Sequence, residues 1–155
     1  MKKKLFLSNI SSKKKKFSII MPPPNVTGTL HIGHALNMTL QDVLARYWRM
    51  NNKDVLWQPG TDHAGIATQN VVEKKLFKEK KTNKSFLGKD KFISEIWKWK
   101  KESGDKITNQ IKKLGALPDW KRSKFTLDKD ISETVNYAFI ELYKKKLIYK
   151  DKRLI

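Results

Sequence analysis

The sequence predicts an α/β protein whose open, parallel sheet is flanked by helices. Two short, apolar and partly β-branched segments, at 16–21 and 54–58, are typical of buried strands. Between them, apolar residues recur with helical period and predict a helix at about 32–51. Parallel strands need a crossover connection, so this strand–helix–strand order predicts a βαβ unit.

The segments of this unit follow one another without a linker. Pro22–Pro24 end the first strand because proline lacks the N–H that a ladder requires. Residues 25–30 form a loop with turn chemistry at Gly28. The helix presents one apolar face, which we expect to point inward: Leu36, Leu40, Val43, Leu44 and Tyr47.

Helices are also predicted beyond the second strand. A turn at 60–65 leads into a helix at about 66–80. Residues 74–101 hold eleven lysines against three acids and are predicted to form a helical, Lys-rich insertion on the surface, with helix resuming near Phe92. Its Trp97 and Trp99 fit either helix packing or stacking on RNA.

The last segment predicts a helix followed by a hairpin. Asp130 is expected to cap a helix that ends near Lys146. Residues 147–149 and 153–155 resemble two strands around a turn. The helix residues expected to face inward are Ile131, Val135, Ala138, Phe139 and Leu142.

Length and composition indicate one intracellular domain. We expect residues 1–15 to be a basic, partly disordered lead-in and residues 16–155 to form the domain. No apolar run approaches the ~18 residues of a membrane span, which excludes a membrane protein. The absence of cysteine excludes a disulfide scaffold and a thiolate zinc site. A soluble, cytoplasmic location is therefore expected.

The chain is strongly basic, with 34 Lys and Arg against 15 Asp and Glu and a net charge of +19. Such an excess favours polyanionic partners, nucleic acid first. However, 30 of the basic residues are lysines, whose codons are A-rich. An A/T-rich genome would give the same excess, with the lysines simply solvated on the surface, and composition leaves both explanations open.

The most informative motif runs from Pro22 to His34. His31-Ile-Gly-His34 lies at the mouth of the long helix, and its two rings project from the same side of the first turn. Gly33 leaves the backbone open to close approach, and the helix N-terminus offers free N–H groups and partial positive charge. This pattern predicts a nucleoside triphosphate site. The alternatives are a surface pair or a metal site, although the HExxH pattern of zinc enzymes is missing.

The residues also match a known family. Pro22–His34 resembles the signature of class I aminoacyl-tRNA synthetases, whose HIGH box is here His31–His34. Pro22–Gly28 and Gly60–Gln69 are similar to the valyl-tRNA synthetases within that class. Shorter matches occur at Ile107–Gln110, Leu114–Gly115, Asp119–Trp120 and Leu147–Tyr149. The resemblance covers nearly the whole chain from about Phe17. It implies a Rossmann-like sheet, the incomplete first half of a catalytic domain cut before the editing insertion.

What the resemblance implies is a valine–tRNA ligase, monomeric at full length. ATP would be its substrate, with Mg²⁺ accompanying the ATP and no metal held by the protein, and valine and tRNA(Val) would be its partners. The implied catalytic residues are His31 and His34. The implied ATP-binding set is Thr29, His31, Gly33 and His34, and the implied valine-binding set is Pro22, Asn25 and Asp62. A carboxylate and an amide suit an ammonium group.

Two alternatives accompany these assignments. The alternative role for Asp62 is a turn residue that caps the following helix, and His63 fits a structural role. The family's second signature, a lysine loop of the KMSKS type, is not found in the 155 residues. We therefore expect the isolated chain to be inactive. The competing interpretations are a catalytically inactive remnant and a tRNA-binding module derived from the same fold.

Overall fold

The computed structural model describes residues 6–152. Strands β1 (Lys16–Ile20) and β2 (Asp54–Gln58) pair in parallel along their whole length. Helix α1 (Ile32–Met50) connects them. The predicted βαβ unit is therefore confirmed, with bounds within a residue of those expected.

A second parallel pair was not predicted. Strand β3 (Gly60–Thr61) pairs with β4 (Lys124–Phe125), two segments far apart in the chain. A Cβ atom on Gly60 would lie 2.9 Å from the Lys124 carbonyl oxygen, so this close approach requires glycine. The pair brings the segment after β4 alongside the turn that follows β3.

Four further α-helices and one 3₁₀ turn complete the described fold. Helix α2 (Ile66–Lys80) matches its predicted bounds, and a short α3 (Lys84–Leu87) leads into the long α4 (Lys89–Lys113). A 3₁₀ turn (Trp120–Arg122) precedes β4, and α5 (Lys129–Lys144) follows it. Within residues 6–152, no helix is both long enough and apolar enough to cross a membrane.

The main core lies between the β1–β2 sheet, α1 and α4. Trp57 on β2 and Ile107 on α4 are fully buried in it. A smaller cluster joins α2 to α4 through Val72, Leu76 and Phe92, with Trp99 packed against it. Residues 74–101 are therefore not purely a surface insertion, because one side of this Lys-rich segment supplies core residues. Of the two alternatives given for the tryptophans, Trp99 takes the packing one, whereas Trp97 is half exposed.

The expected inward face of α1 is wrong. Leu36, Leu40, Val43, Leu44 and Tyr47 are all 47–61% exposed. The buried residues of α1 are Met38 and Ala45 instead. The sheet packs on the side of the helix that carries the smaller and more flexible side chains, and the stronger apolar stripe faces outward.

The expectations for the last segment are also corrected. Helix α5 has no buried residue, and the residues expected to face inward, Ile131, Val135, Ala138, Phe139 and Leu142, lie at its partly or fully exposed positions. Asp130 pairs with Lys124 rather than capping α5, whose N-cap position is Asp128. Residues 147–149 form no strand, and residues 153–155 of the expected hairpin lie outside the described residues.

The described part of the lead-in contacts the domain. The Asn9 N–H donates to Asp54 Oδ1 (3.1 Å), and the Ser8 N–H donates to Asp119 Oδ2 (3.2 Å). Lys16 Nζ lies 2.9 Å from Asp54 Oδ2. Asp54 and Asp119 together therefore fix residues 8–9 beside the start of β2. Residues 1–5 of the expected lead-in lie outside the described residues.

Candidate functional site

The two signature histidines hold each other at the start of α1. His31 is the N-cap residue, and its Nδ1 accepts from the Gly33 N–H (3.1 Å). In return, His34 Nδ1 accepts from the His31 N–H (3.3 Å). The ring centroids are 4.0 Å apart. This reciprocal capping places both rings on one side of the helix N-terminus, as their spacing predicts.

The capping bonds determine which ring nitrogen is available to a ligand. An imidazole nitrogen that accepts an N–H carries no proton, so each neutral ring carries its proton on Nε2. The Nε2–H groups are donors, suited to phosphate oxygens. Burial lowers the pKa of His34, and the neighbouring His31 lowers it further. Both causes favour the neutral ring.

Gly33 has a specific steric role at this turn. A Cβ atom there would lie 3.0 Å from His31 Cε1 and 3.1 Å from His31 Nδ1. The His31 ring therefore occupies the space that a side chain at position 33 would need. The sequence led us to expect that this space admits a ligand, whereas the structure shows that it seats the capping ring.

The signature loop that precedes the histidines is held by α4. Three side chains of α4 bond to its backbone: Trp99 Nε1–H to the Val26 carbonyl (2.7 Å), Ser103 Oγ–H to the Gly28 carbonyl (3.3 Å), and Gln110 Oε1 to the Leu30 N–H (3.1 Å). Sequence reasoning missed these supports. Gln110 belongs to a segment that resembles the family, which was the one available signal.

A backbone bridge joins the two residues predicted to bind an ammonium group. Asn25 and Asp62 form a parallel β-bridge. The Asp62 N–H donates to the Pro24 carbonyl (2.9 Å), and the Asp62 carbonyl accepts from the Val26 N–H (3.0 Å). Asn25 is exposed, and the Asp62 side chain is one-third exposed. The fold thus places an amide and a carboxylate side by side at the surface.

The Asp62 carboxylate is held by a residue from the other end of the chain. The Thr126 hydroxyl donates to Asp62 Oδ1 (2.9 Å) and accepts from the His63 N–H (2.9 Å). The His63 ring lies 3.2 Å from the same Asp62 oxygen. The N-cap of α2 is Gly65, with no side-chain capping bond, so the helix-cap alternative for Asp62 is wrong. Thr126 was not predicted.

The remaining predicted residues are exposed. Pro22 follows β1 by two positions, and Thr29 precedes the His31 cap by two. In residues 6–152 no hydrogen bond links the histidine pair directly to Asn25 or Asp62. The loop 25–31 is the covalent connection between the two parts of the site.

A sequence model of the tRNA synthetases of class I (I, L, M and V) matches residues 1–155.

The chain belongs to the class I tRNA synthetases.

The relatives of this synthetase chain include valine–tRNA ligases. It is 59% identical over 142 residues to the valine–tRNA ligase of Pelagibacter ubique (strain HTCC1062), covering 92% of the chain and 16% of the relative. It is 56% identical over 151 residues to the valine–tRNA ligase of Syntrophotalea carbinolica, a match that covers 97% of the chain and 17% of the relative. The chain therefore spans about a sixth of the length of these relatives. The resemblance noted from its motifs is confirmed.

A solved structure of a class I synthetase has the same fold. The chain superposes on a crystal structure of the ternary complex of Agrobacterium radiobacter K84 agnB2 LeuRS, tRNA and LeuAMS with a TM-score of 0.74. The identity is 27%, and the match covers 95% of this chain and 17% of that one. The α/β architecture thus agrees with that of a synthetase chain in a complex with tRNA.

Proposed function

We propose that the chain provides the ATP- and valine-binding half of a valine–tRNA ligase, which activates valine with ATP and attaches it to tRNA(Val). The observation that carries the proposal is the arrangement of the loop 25–31. One end of this loop is bridged to Asp62, and the other end is the His31 cap. A single loop supported by α4 therefore connects a site for an ammonium group with a site for phosphates.

The proposed first step joins valine to AMP. A carboxylate oxygen of valine attacks the α-phosphorus of ATP, the bond to the bridging oxygen breaks, and pyrophosphate leaves. Negative charge accumulates on the phosphate oxygens, where the Nε2–H groups of His31 and His34 and the N-terminus of α1 act as fixed donors. A hydroxyl at the 3′ end of tRNA(Val) then attacks the valyl carbonyl, and AMP leaves.

Mg²⁺ in this scheme belongs to the nucleotide. Among the described residues no group of three or more His, Asp or Glu side chains is placed to hold a metal ion. The residues present fit a polyphosphate, because the histidine pair offers donors rather than carboxylate ligands. The ion would neutralise phosphate charge when bound with ATP.

The valine ammonium group is assigned to Asp62, Asn25 and the Pro22 carbonyl. Asp62 supplies the charge, and the Thr126 hydroxyl fixes its orientation through Oδ1. Oδ2 of Asp62 and the Asn25 amide oxygen remain as acceptors. These groups recognise the part of valine that all amino acids share.

The isolated 155-residue chain is proposed to be inactive. The KMSKS-type lysine loop is not found in its sequence. Removal of one preorganised charge-stabilising donor costs about 10²–10³ in rate in other enzymes, and here a whole loop of such donors is missing. Catalysis is therefore assigned to a complete synthetase built on this chain and not to the 155 residues alone.

The decisive experiment is Asp62→Asn in that complete synthetase. Asn keeps an acceptor for the Thr126 hydroxyl, so we expect a nearly normal melting temperature. The lost charge should weaken valine binding at least tenfold, because truncating one partner of a hydrogen-bonded charge pair costs about 2–5 kcal/mol. ATP binding should change little. Separate calorimetric titrations with valine and ATP, beside a melting curve, measure all three quantities.

Asp130→Asn is the matched control. It removes a carboxylate that pairs with Lys124 at the surface, so valine affinity should stay the same. A fall of several degrees in the melting temperature of Asp62→Asn, with unchanged valine affinity, would assign Asp62 to structure and contradict the proposal.

A further inference from the structure

We propose that the outer surface of α2 and α3 binds single-stranded RNA. This basic aromatic surface consists of Lys74, Phe77, Lys78, Lys81, Lys84 and Phe86. It is remote in sequence from the histidine pair and has no part in the activation step proposed above. The inference rests on the proposed function only in taking tRNA as the natural RNA.

Two phenylalanines on this surface are unusually open to solvent. Phe77 is 63% exposed and Phe86 is 86% exposed. They are not part of the nearby core, which α2 and α4 build from Val72, Leu76 and Phe92. Single exposed apolar side chains are common on proteins. Two rings within a Lys-rich segment are the pattern that binds unpaired bases, because every base has a face that stacks.

The charges of this segment are segregated between its two sides. On the side facing α4, Lys75 pairs with Glu102 (3.0 Å), and Lys80 pairs with Glu95 (3.4 Å). Within the described part of the chain, the four lysines of the basic aromatic surface form no salt bridge. Glu95 and Glu102 are thus used on the inner side. The outer side keeps four lysines beside one groove carboxylate, Glu73, so an excess of positive charge remains for a polyanion.

The aromatic and basic groups meet at a groove. It has a volume of about 360 Å³ and is lined by Asn70, Glu73, Lys74, Phe77 and Asn83. Lys81 Nζ lies 5.8 Å from the centre of the Phe77 ring. Asn83 Oδ1 accepts from the Phe86 N–H (3.1 Å), which leaves its amide NH₂ as a donor. The groove therefore combines a stacking face, cations for phosphates and polar groups for a base edge.

The test measures RNA binding by the complete synthetase over a series of KCl concentrations. Poly(U), which is unpaired, and the poly(A)·poly(U) duplex are the probes, beside a tRNA(Val) transcript. In the triple variant Lys74→Gln, Lys78→Gln, Lys81→Gln, the salt slope for poly(U) should fall by about 2, since each phosphate contact on a single strand contributes about 0.7. In Phe77→Ala, Phe86→Ala, poly(U) affinity should fall about tenfold with an unchanged slope.

Two matched controls separate the surface from general charge and hydrophobicity. Lys13→Gln, Lys14→Gln, Lys129→Gln changes the net charge equally, and Phe139→Ala removes a ring that is 62% exposed on α5. Both controls should bind poly(U) like the parent protein. The proposal is overturned if the control triple loses as much slope as the test triple. It is also overturned if the duplex binds as tightly as poly(U), or if the Phe variants bind normally.

Valine-dependent exchange between ATP and pyrophosphate requires no RNA and tests the proposed function separately. All RNA-surface variants should exchange at the parent rate, which would also show that they fold. A parent protein that fails to exchange, yet binds poly(U) through these residues, would refute the proposed function and support the surface. If the parent protein exchanges normally and every variant binds RNA like the parent, the RNA-binding surface is refuted and the proposed function is not.

Discussion

The histidines at the start of α1 stabilise the helix as well as offering donors to a ligand. Each Nδ1 accepts a backbone N–H, and an accepting nitrogen cannot carry a proton. Protonation of either ring would therefore break its capping bond. The capping geometry thus links the protonation state of the site to the stability of the helix N-terminus.

The pKa of His34 gives a prediction for pH dependence. Burial, and then the charge of His31, lower this pKa below the ordinary 6.5. The folded state then binds fewer protons than the unfolded state, so this contribution to stability is present above about pH 6.5 and is lost as the pH falls through the lowered pKa. NMR titration should give His34 a midpoint below that value, and His31→Gln should raise it partway. A midpoint above 6.5 would contradict the geometry.

Gly33 gives a second prediction at this scale. In Gly33→Ala, the new methyl group should displace the His31 ring and remove its cap, which costs about 0.5–2 kcal/mol. ATP affinity should fall with it. Gly104→Ala is the control, because nothing lies within 4 Å of the added Cβ, and it should stabilise α4 by about 0.5–1 kcal/mol. Urea unfolding measures both variants, and equal stabilities would show that the ring adapts without cost.

At the scale of elements, α4 fixes the signature loop through the Trp99 indole. Trp99→Phe keeps most of the ring packing but leaves the Val26 carbonyl without its donor, so we expect a loss of about 1 kcal/mol. That corresponds to about 2–4 °C in melting temperature for a chain of this size. Valine and ATP binding should weaken together because the loop connects both parts of the site.

Trp97→Phe is the matched control on the same helix. Trp97 is 48% exposed, and its ring lies 6.0 Å from Phe125. In the range 6–152 its indole N–H makes no hydrogen bond, so the substitution should shift the melting temperature by less than a degree or so. If the two variants melted together, the Trp99 bond would contribute nothing to stability.

Elements whose apolar residues follow a clear strand or helix pattern could be predicted from the sequence. The strands β1 and β2 and the helices α1 and α2 follow from β-branched runs and helical spacing. The pair β3–β4 could not, because strands of two residues have no period and their partners are distant in the chain. The arrangement of the candidate residues could be predicted where a motif is local, as at His31–His34. It could not be predicted where Thr126 contacts Asp62 from far along the chain.

The orientation of α1 shows a second limit. An apolar stripe identifies a face but not its partner, and α1 has apolar residues on two sides. The sheet packs against Met38 and Ala45, which allow close approach. Larger residues such as Leu36 and Leu40 point outward. Periodicity alone favours the stronger apolar stripe as the buried face. The element that packs against the helix decides which face is actually buried.

At the scale of the whole molecule, exposed apolar side chains line the outer faces of α1 and α5. Large exposed apolar patches mark interaction surfaces or aggregation sites, so we expect the 155-residue chain to self-associate. Leu40→Ser should reduce association in sedimentation experiments and change the free energy of unfolding by only about 0.5 kcal/mol. Met38→Ala should instead lose about 2–5 kcal/mol, since Met38 is 2% exposed. Equal losses would contradict the difference in burial between the two faces.

The contact between Thr126 and Asp62 sets an order of events during translation. The two residues are 64 positions apart, and at about 5–20 residues per second the ribosome needs about 3–13 s to add that length. Until then the nascent chain exposes Gly60–Thr61 without its partner strand, and the carboxylate lacks the hydroxyl that orients it. A ribosomal pause between codons 62 and 126 would prolong the interval in which these groups lack their partners. The histidine cap does not depend on this contact, because all of its residues are synthesised earlier.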